Sequence, residues 1–220
     1  MSLPCDLDNS YTPAGSPGCD HRLYTHAVQF YFADQVLVRF TSEFVISALR
    51  AGDSAVVLAT DAHQRAIAAT LHRRGIDVAH HAQAGKYFAI DAQEALAECL
   101  QTGVADFSRF RRRVHSILAD ANRAATTDHP RAMVFGELVS LLWEKRDCEA
   151  LLALENVWEN LALEHSFTLF CGYSIKEFSN AGSEAVFLKV CAAHATMVPP
   201  EQYPTAESER RILAATARPF

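Results

Sequence analysis

The stretch RAMVFGELVSLLW, residues 131–143, places a carboxylate where an apolar strand runs out and a helical pattern begins. Residues 132–135 read as a strand, Gly136 ends it, and Glu137 precedes a second apolar run at helical spacing. A carboxylate is rarely buried without a partner, and open α/β sheets carry their sites at the carboxyl ends of their strands. Glu137 is therefore a candidate for ligand binding. It equally suits the first turn of a helix, where its charge favours the positive end of the helix dipole. Both readings stay open at this level.

Other chemistries are poorly served. A phosphate cradle after the first strand needs glycines, and a Lys to complete it. The turn here, within FYFADQVL, has neither, and Asp34 would repel a phosphate. The pattern GxxxxGK[ST] occurs nowhere, and Ser174 follows its strand without the glycines of a nucleophile elbow. The six cysteines form no CxxC pair, and the nearest approach to a metal-ligand cluster is Cys19-Asp20-His21 in a Pro/Gly-rich leader. Neither a metal nor a cofactor is expected, and Cys171 reads as a small core residue. The cysteines are expected to remain thiols.

The elements that must position Glu137 alternate between strand and helix. HAVQFYF is a first strand. Leu37, Phe40, Phe44 and Ala48 mark a helix that Gly52 terminates. SAVVLAT is a buried strand, followed by a helix with Asp61 as its N-cap. IDVAHH reads as a short strand and KYFAID as a better one, with Asp91 placed to cap AQEALAECL. A helix over 106–124 precedes the strand at 132–135. Helices at 137–145 and 147–163 follow, then the strand SFTLFCGYS and a helix over 181–195. Trp143 and Trp158 fall on apolar helix faces. Arg109, Arg112 and Arg113 fall off the Phe110–Val114 stripe and read as a solvated face. This alternation predicts an α/β domain, a mainly parallel sheet flanked by helices on both faces.

The 220-residue length suits one such domain, with residues 1–22 as a flexible leader, 23–203 as the structured domain and 204–220 as a tail. A formal charge of −6 gives no electrostatic reason for nucleic-acid binding. No apolar run approaches the roughly 20 residues of a membrane span. The N-terminus lacks the basic and apolar regions of a signal peptide, so a cytoplasmic location is expected.

Several blocks taken together, HAVQFYFADQVLVRF, GKYFAIDAQEAL, DFSRFRRRV, FGELVSLLWEKRDCEALLALENVWENL, FTLFCGYSIKEF and CAAHATMVPPEQYP, resemble the MEDS domain, the sensory domain of methanogen and methylotroph regulators. The family pattern maps onto His26, Gln29, Phe30, Tyr31 and Asp34, onto Gly85, Tyr87 and Asp91, and onto Gly136, Glu137, Trp143, Glu155, Trp158, Tyr173 and His194. Two departures are Leu138, where Met is usual, and Gly172, where Ala is usual and which leaves slightly more room. The resemblance implies a RecA/KaiC-like fold without a working phosphate loop. It also implies a small-molecule sensor that works with a histidine kinase or a transcription regulator.

On that reading, His26, Gln29, Tyr31, Asp34, Glu137 and Tyr173 would line a vestigial nucleotide crevice reused for a small organic molecule, such as a hydrocarbon derivative. The chain would then be a non-enzymatic sensory domain relaying to a protein partner, without direct nucleic-acid or membrane contact. The competing reading is a ligand-free interaction module, a homodimer among its forms, with a filled crevice. For His26 and Glu137 the alternative role is structural: a satisfied strand-edge histidine and a carboxylate that fixes its turn.

Overall fold

The computed structural model describes residues 24–100, 105–175 and, beyond them, 188, 190, 191, 194 and 196–198. The leader 1–22, the tail 204–220 and most of the helix expected at 181–195 lie outside the described residues. Strand β1 (Tyr24–Tyr31) leads into helix α1 (Asp34–Ala51), then β2 (Ser54–Ala59), α2 (Asp61–Arg73), α3 (Val78–Gln83) and β3 (Tyr87–Asp91). Helices α4 (Ala92–Cys99) and α5 (Ser108–Ala124) precede β4 (Ala132–Gly136). Helices α6 (Leu138–Glu144) and α7 (Cys148–Ala162) lead to β5 (Phe167–Ser174), and β6 (Thr196–Val198) is the last described strand.

The strands form a six-stranded sheet in the order β3-β2-β4-β5-β1-β6, and every recorded pairing is parallel. From β1 to β3 the chain crosses the sheet in one direction, and from β3 to β5 it returns. Right-handed crossovers then require the helices of the two legs to lie on opposite faces. The core divides accordingly. Leu37, Phe44, Ile67 and Leu71 of α1 and α2 pack with Met133, Phe135 and Phe170 on one side of the sheet. Phe110, Leu118, Leu142, Leu151 and Trp158 of α5–α7 pack with Val28, Val134 and Leu169 on the other. Coverage on both sides explains why β2 and β4 are near-continuous apolar runs, as parallel strands usually are.

Local signals account for most boundaries. Gly52 closes α1 in the left-handed conformation (φ 91°), its N–H reaching the Ala48 and Leu49 carbonyls. Asp91 caps α4 by accepting from the Gln93 and Glu94 N–H groups. Trp158 is buried between Phe110, edge-on with centroids 5.7 Å apart, and Phe167. Trp143 is also buried, and Arg109, Arg112 and Arg113 are exposed.

Three local expectations are corrected. Residues 78–83 are helical rather than extended, because Asp77 Oδ1 accepts the His80 N–H at 3.0 Å and so caps a turn of helix. Thr60, not Asp61, occupies the cap position of α2, and Asp61 lies in its first turn. Cys148, expected to remain a thiol like the other cysteines, is instead disulfide-bonded, whereas Cys99, Cys171 and Cys191 are free thiols among the described residues. No helix among the described residues is long and apolar enough to cross a membrane.

Replacing Asp91 by Ala removes the acceptor for two N–H groups at the start of α4. The expected loss is about 1 kcal/mol of unfolding free energy, measured by urea denaturation with an unchanged m-value.

Candidate functional site

The carboxyl ends of β1, β2 and β4 form one edge of the sheet, and there the sequence places polar side chains. Strand β4 ends at Gly136, and the main chain of Glu137 continues the ladder by donating its N–H to the Leu58 carbonyl at 2.9 Å. That bond fixes the direction of the Glu137 side chain, which is only 3% exposed. Its Oε2 accepts the Thr60 N–H at 2.9 Å. Its Oε1 lies 2.6 Å from His63 Nδ1. A carboxylate only accepts, so Nδ1 carries the proton.

His63, in the first turn of α2, presents its other nitrogen to Asp34 Oδ2 at 3.8 Å. Asp34 begins α1 and is exposed. Asp34, His63 and Glu137 thus form a polar line from solvent into the strand ends. The hydrogen bond to Glu137 raises the His63 pKa above the ordinary histidine value, opposed by burial and assisted by the charges of Glu137 and Asp34.

Tyr31, the last residue of β1, completes this group. Burial and then the Glu137 charge hold its hydroxyl pKa well above the usual range, and Ser140 hydrogen-bonds it. Ser140 Oγ also accepts the Ser174 N–H at 3.2 Å, which joins the end of β5 to α6. Only Phe32 and Ala33 separate β1 from α1. Such a turn has no room for a phosphate loop, and the acidic Asp34 stands in the first turn of α1.

The other expected site residues are elsewhere. His26 and Tyr173 share the opposite sheet face, with Glu155 of α7, Cys171 of β5 and His194. His26 Nε2 is 3.3 Å from Cys171 Sγ and 3.6 Å from Glu155 Oε2. Tyr173 donates its hydroxyl to Glu155 Oε1 at 3.1 Å. The His26 and His194 rings lie 3.9 Å apart, centroid to centroid. Burial pushes the Glu155 carboxyl up to about 7, with the Tyr173 hydroxyl opposing the rise. Burial also takes His194 down to about 4, despite its 2.6 Å hydrogen bond to the Val190 carbonyl.

Gln29 belongs to neither group. It alternates with His26 along β1 and is fully buried, and its amide atoms have no hydrogen-bond partner among the described residues. The single crevice expected from the sequence is therefore two separate clusters. Tyr31, Asp34 and Glu137 gather at the sheet edge, and His26 and Tyr173 gather within the core.

His63, Ser140 and Thr60 were not singled out by the sequence. One signal was available for His63: it follows the strand beside Glu137's own, at the same strand-to-helix junction. Cys171 was correctly read as buried, but its spacing gave no hint of the histidine beside it. The pairing spans 145 positions. Glu155 accepts the Tyr173 hydroxyl and has His26 Nε2 3.6 Å from its other oxygen.

The family model described as MEDS, the methanogen/methylotroph, DcmR sensory domain, matches residues 25–194. Among solved structures, a KaiC-like protein from the hyperthermophilic archaeon Pyrococcus horikoshii is similar, at 16% identity and a TM-score of 0.47. That match covers 73% of this chain and 68% of the other. No curated protein matches the chain.

Because its pKa is raised, His63 in the folded protein titrates above the ordinary histidine value. The stabilisation from its pair with Glu137 is full below the unfolded-state pKa and is lost as pH rises through the folded-state value. NMR titration of the imidazole resonances is expected to show this upward shift, and Glu137→Gln is expected to reduce it. A His63 midpoint unaffected by Glu137→Gln would show that the pair does not govern the ring.

Proposed function

The chain belongs to the MEDS family of sensory domains, and from that premise we propose that it senses a small organic molecule at the carboxyl edge of its sheet. Tyr31, Asp34, His63 and Glu137 are the polar contacts, and the exposed ring of Phe32 is an apolar one at the mouth. The observation that carries this reading is Glu137. A buried carboxylate, held by one main-chain N–H and one histidine, presents fixed acceptor geometry beside a buried tyrosine hydroxyl. A few convergent polar groups beside apolar surface suit a small ligand such as a hydrocarbon derivative.

The two-residue turn before α1 disfavours nucleotide phosphates, which supports a non-enzymatic role. Ligand contact at His63 or Tyr31 would bear on α1, α2 and α6 together, since those helices begin at this edge. A protein partner, such as a histidine kinase or a transcription regulator, would read the resulting shift.

Native mass spectrometry of the full chain, purified from the cells that make it, tests the proposal. The expected result is a stoichiometric small organic adduct that is lost in Glu137→Ala while the variant keeps the far-UV circular dichroism of the parent. Bare protein in both samples, recovered as a dimer or with another chain, would overturn it in favour of an interaction module.

A further inference from the structure

His26, Glu155, Cys171 and His194 offer one nitrogen each from the histidines, one carboxylate oxygen and one thiol sulfur, and these atoms all lie within 4.8 Å of one another. We propose that this cluster binds a divalent metal ion of the zinc class in the core of the domain. The site does not rest on the ligand reading at Glu137, which uses His63, Thr60 and Tyr31 at the ends of the strands.

The donor set suits such an ion. Zinc takes Cys, His and carboxylate ligands in a tetrahedron, with bonds of about 2.0–2.3 Å, which sets the ligand atoms roughly 3.3–3.6 Å apart by geometry. Two of the separations already lie there: 3.3 Å from His26 Nε2 to Cys171 Sγ and 3.6 Å from His26 Nε2 to Glu155 Oε2. Charge also balances. Two neutral imidazoles, one thiolate and one carboxylate carry two negative charges, which a dication neutralises in a place where an uncompensated charge is costly. Binding releases to solvent the Cys171 thiol proton and the Glu155 proton wherever that carboxyl is protonated.

The surroundings orient the donors as metal sites require. His194 commits Nδ1–H to the Val190 carbonyl at 2.6 Å, so Nε2 keeps the lone pair, and Nε2 has no hydrogen-bond partner among the described residues. Glu155 commits Oε1 to the Tyr173 hydroxyl, and Oε2 accepts no hydrogen bond among those residues. His194 and Glu155 are 6% and 3% exposed. Each has one atom held in place and one left for coordination. A second group, His115, Glu164 and His165, also meets the distance condition. It is partly exposed, and Glu164 is already paired with Arg111.

The test is titration of the full chain, stripped with a chelator, with Co2+ as a spectroscopic stand-in. The expected result is one ion per chain, with the visible bands of tetrahedral cobalt and a thiolate charge-transfer band in the near ultraviolet. Cys171→Ala should abolish the charge-transfer band, and His194→Gln should weaken binding while leaving that band detectable at high Co2+. Tyr173→Phe, which loses only an orienting hydroxyl, should weaken affinity by about 10–100-fold. His165→Ala should change nothing. Absence of the tetrahedral spectrum in the parent chain would overturn the proposal, as would a spectrum that survives both Cys171→Ala and His194→Gln or one that disappears in His165→Ala.

Discussion

Strand β1 lies inside the sheet, paired with β5 along all eight of its residues and with β6 over three. Helical layers cover both of its faces. A polar side chain on such a strand has no water to turn to, so each one must find a partner in the protein or remain unsatisfied. His26 finds the thiol of Cys171 and the carboxylate of Glu155, and Tyr31 finds Ser140. At the end of β1, where the chain turns at Phe32 and Ala33, polarity meets solvent again. The two polar clusters follow from that placement, one in the interior and one where the strands stop.

The clusters also differ in electrostatic character. At the sheet edge, a partly buried histidine is drawn toward its charged form by carboxylates on either side. In the interior, burial is the largest influence on Glu155, Cys171 and His194: it raises the carboxyl and the thiol and lowers the imidazole. The same residue types thus sit in opposite regimes on the two sides of one sheet, and the difference is access to water.

Periodicity and capping signals were enough to read the layered architecture. Asp91 and Gly52 act locally, so their roles are visible in a few adjacent residues, and the apolar stripes of α1 and α5 predict the faces that they bury. Further along α5, Leu118 is buried while its neighbour Ile117 is only partly buried. Contacts between distant segments were not legible. His63 and Glu137 are 74 positions apart, and their shared place at a strand-to-helix junction becomes a pairing only once the strand order is known. Residue spacing could not show that His26 and Glu137 lie on different sides of the sheet until the parity of β1 and the strand order were known. The resemblance to a family drew attention to polar residues of both clusters, but as one group rather than two.

Gly172 stands between Cys171 and Tyr173 on β5 and faces the other way. A Cβ there would come within 2.7 Å of Leu37 Cδ1 and 3.2 Å of the Phe135 ring. The extra room that a glycine leaves is occupied by a leucine of α1, which keys that helix onto the strand. An alanine at 172 would have to be met by a different Leu37 rotamer or a turn of the Phe135 ring, so the seating of α1 on β5 is set by these three positions together.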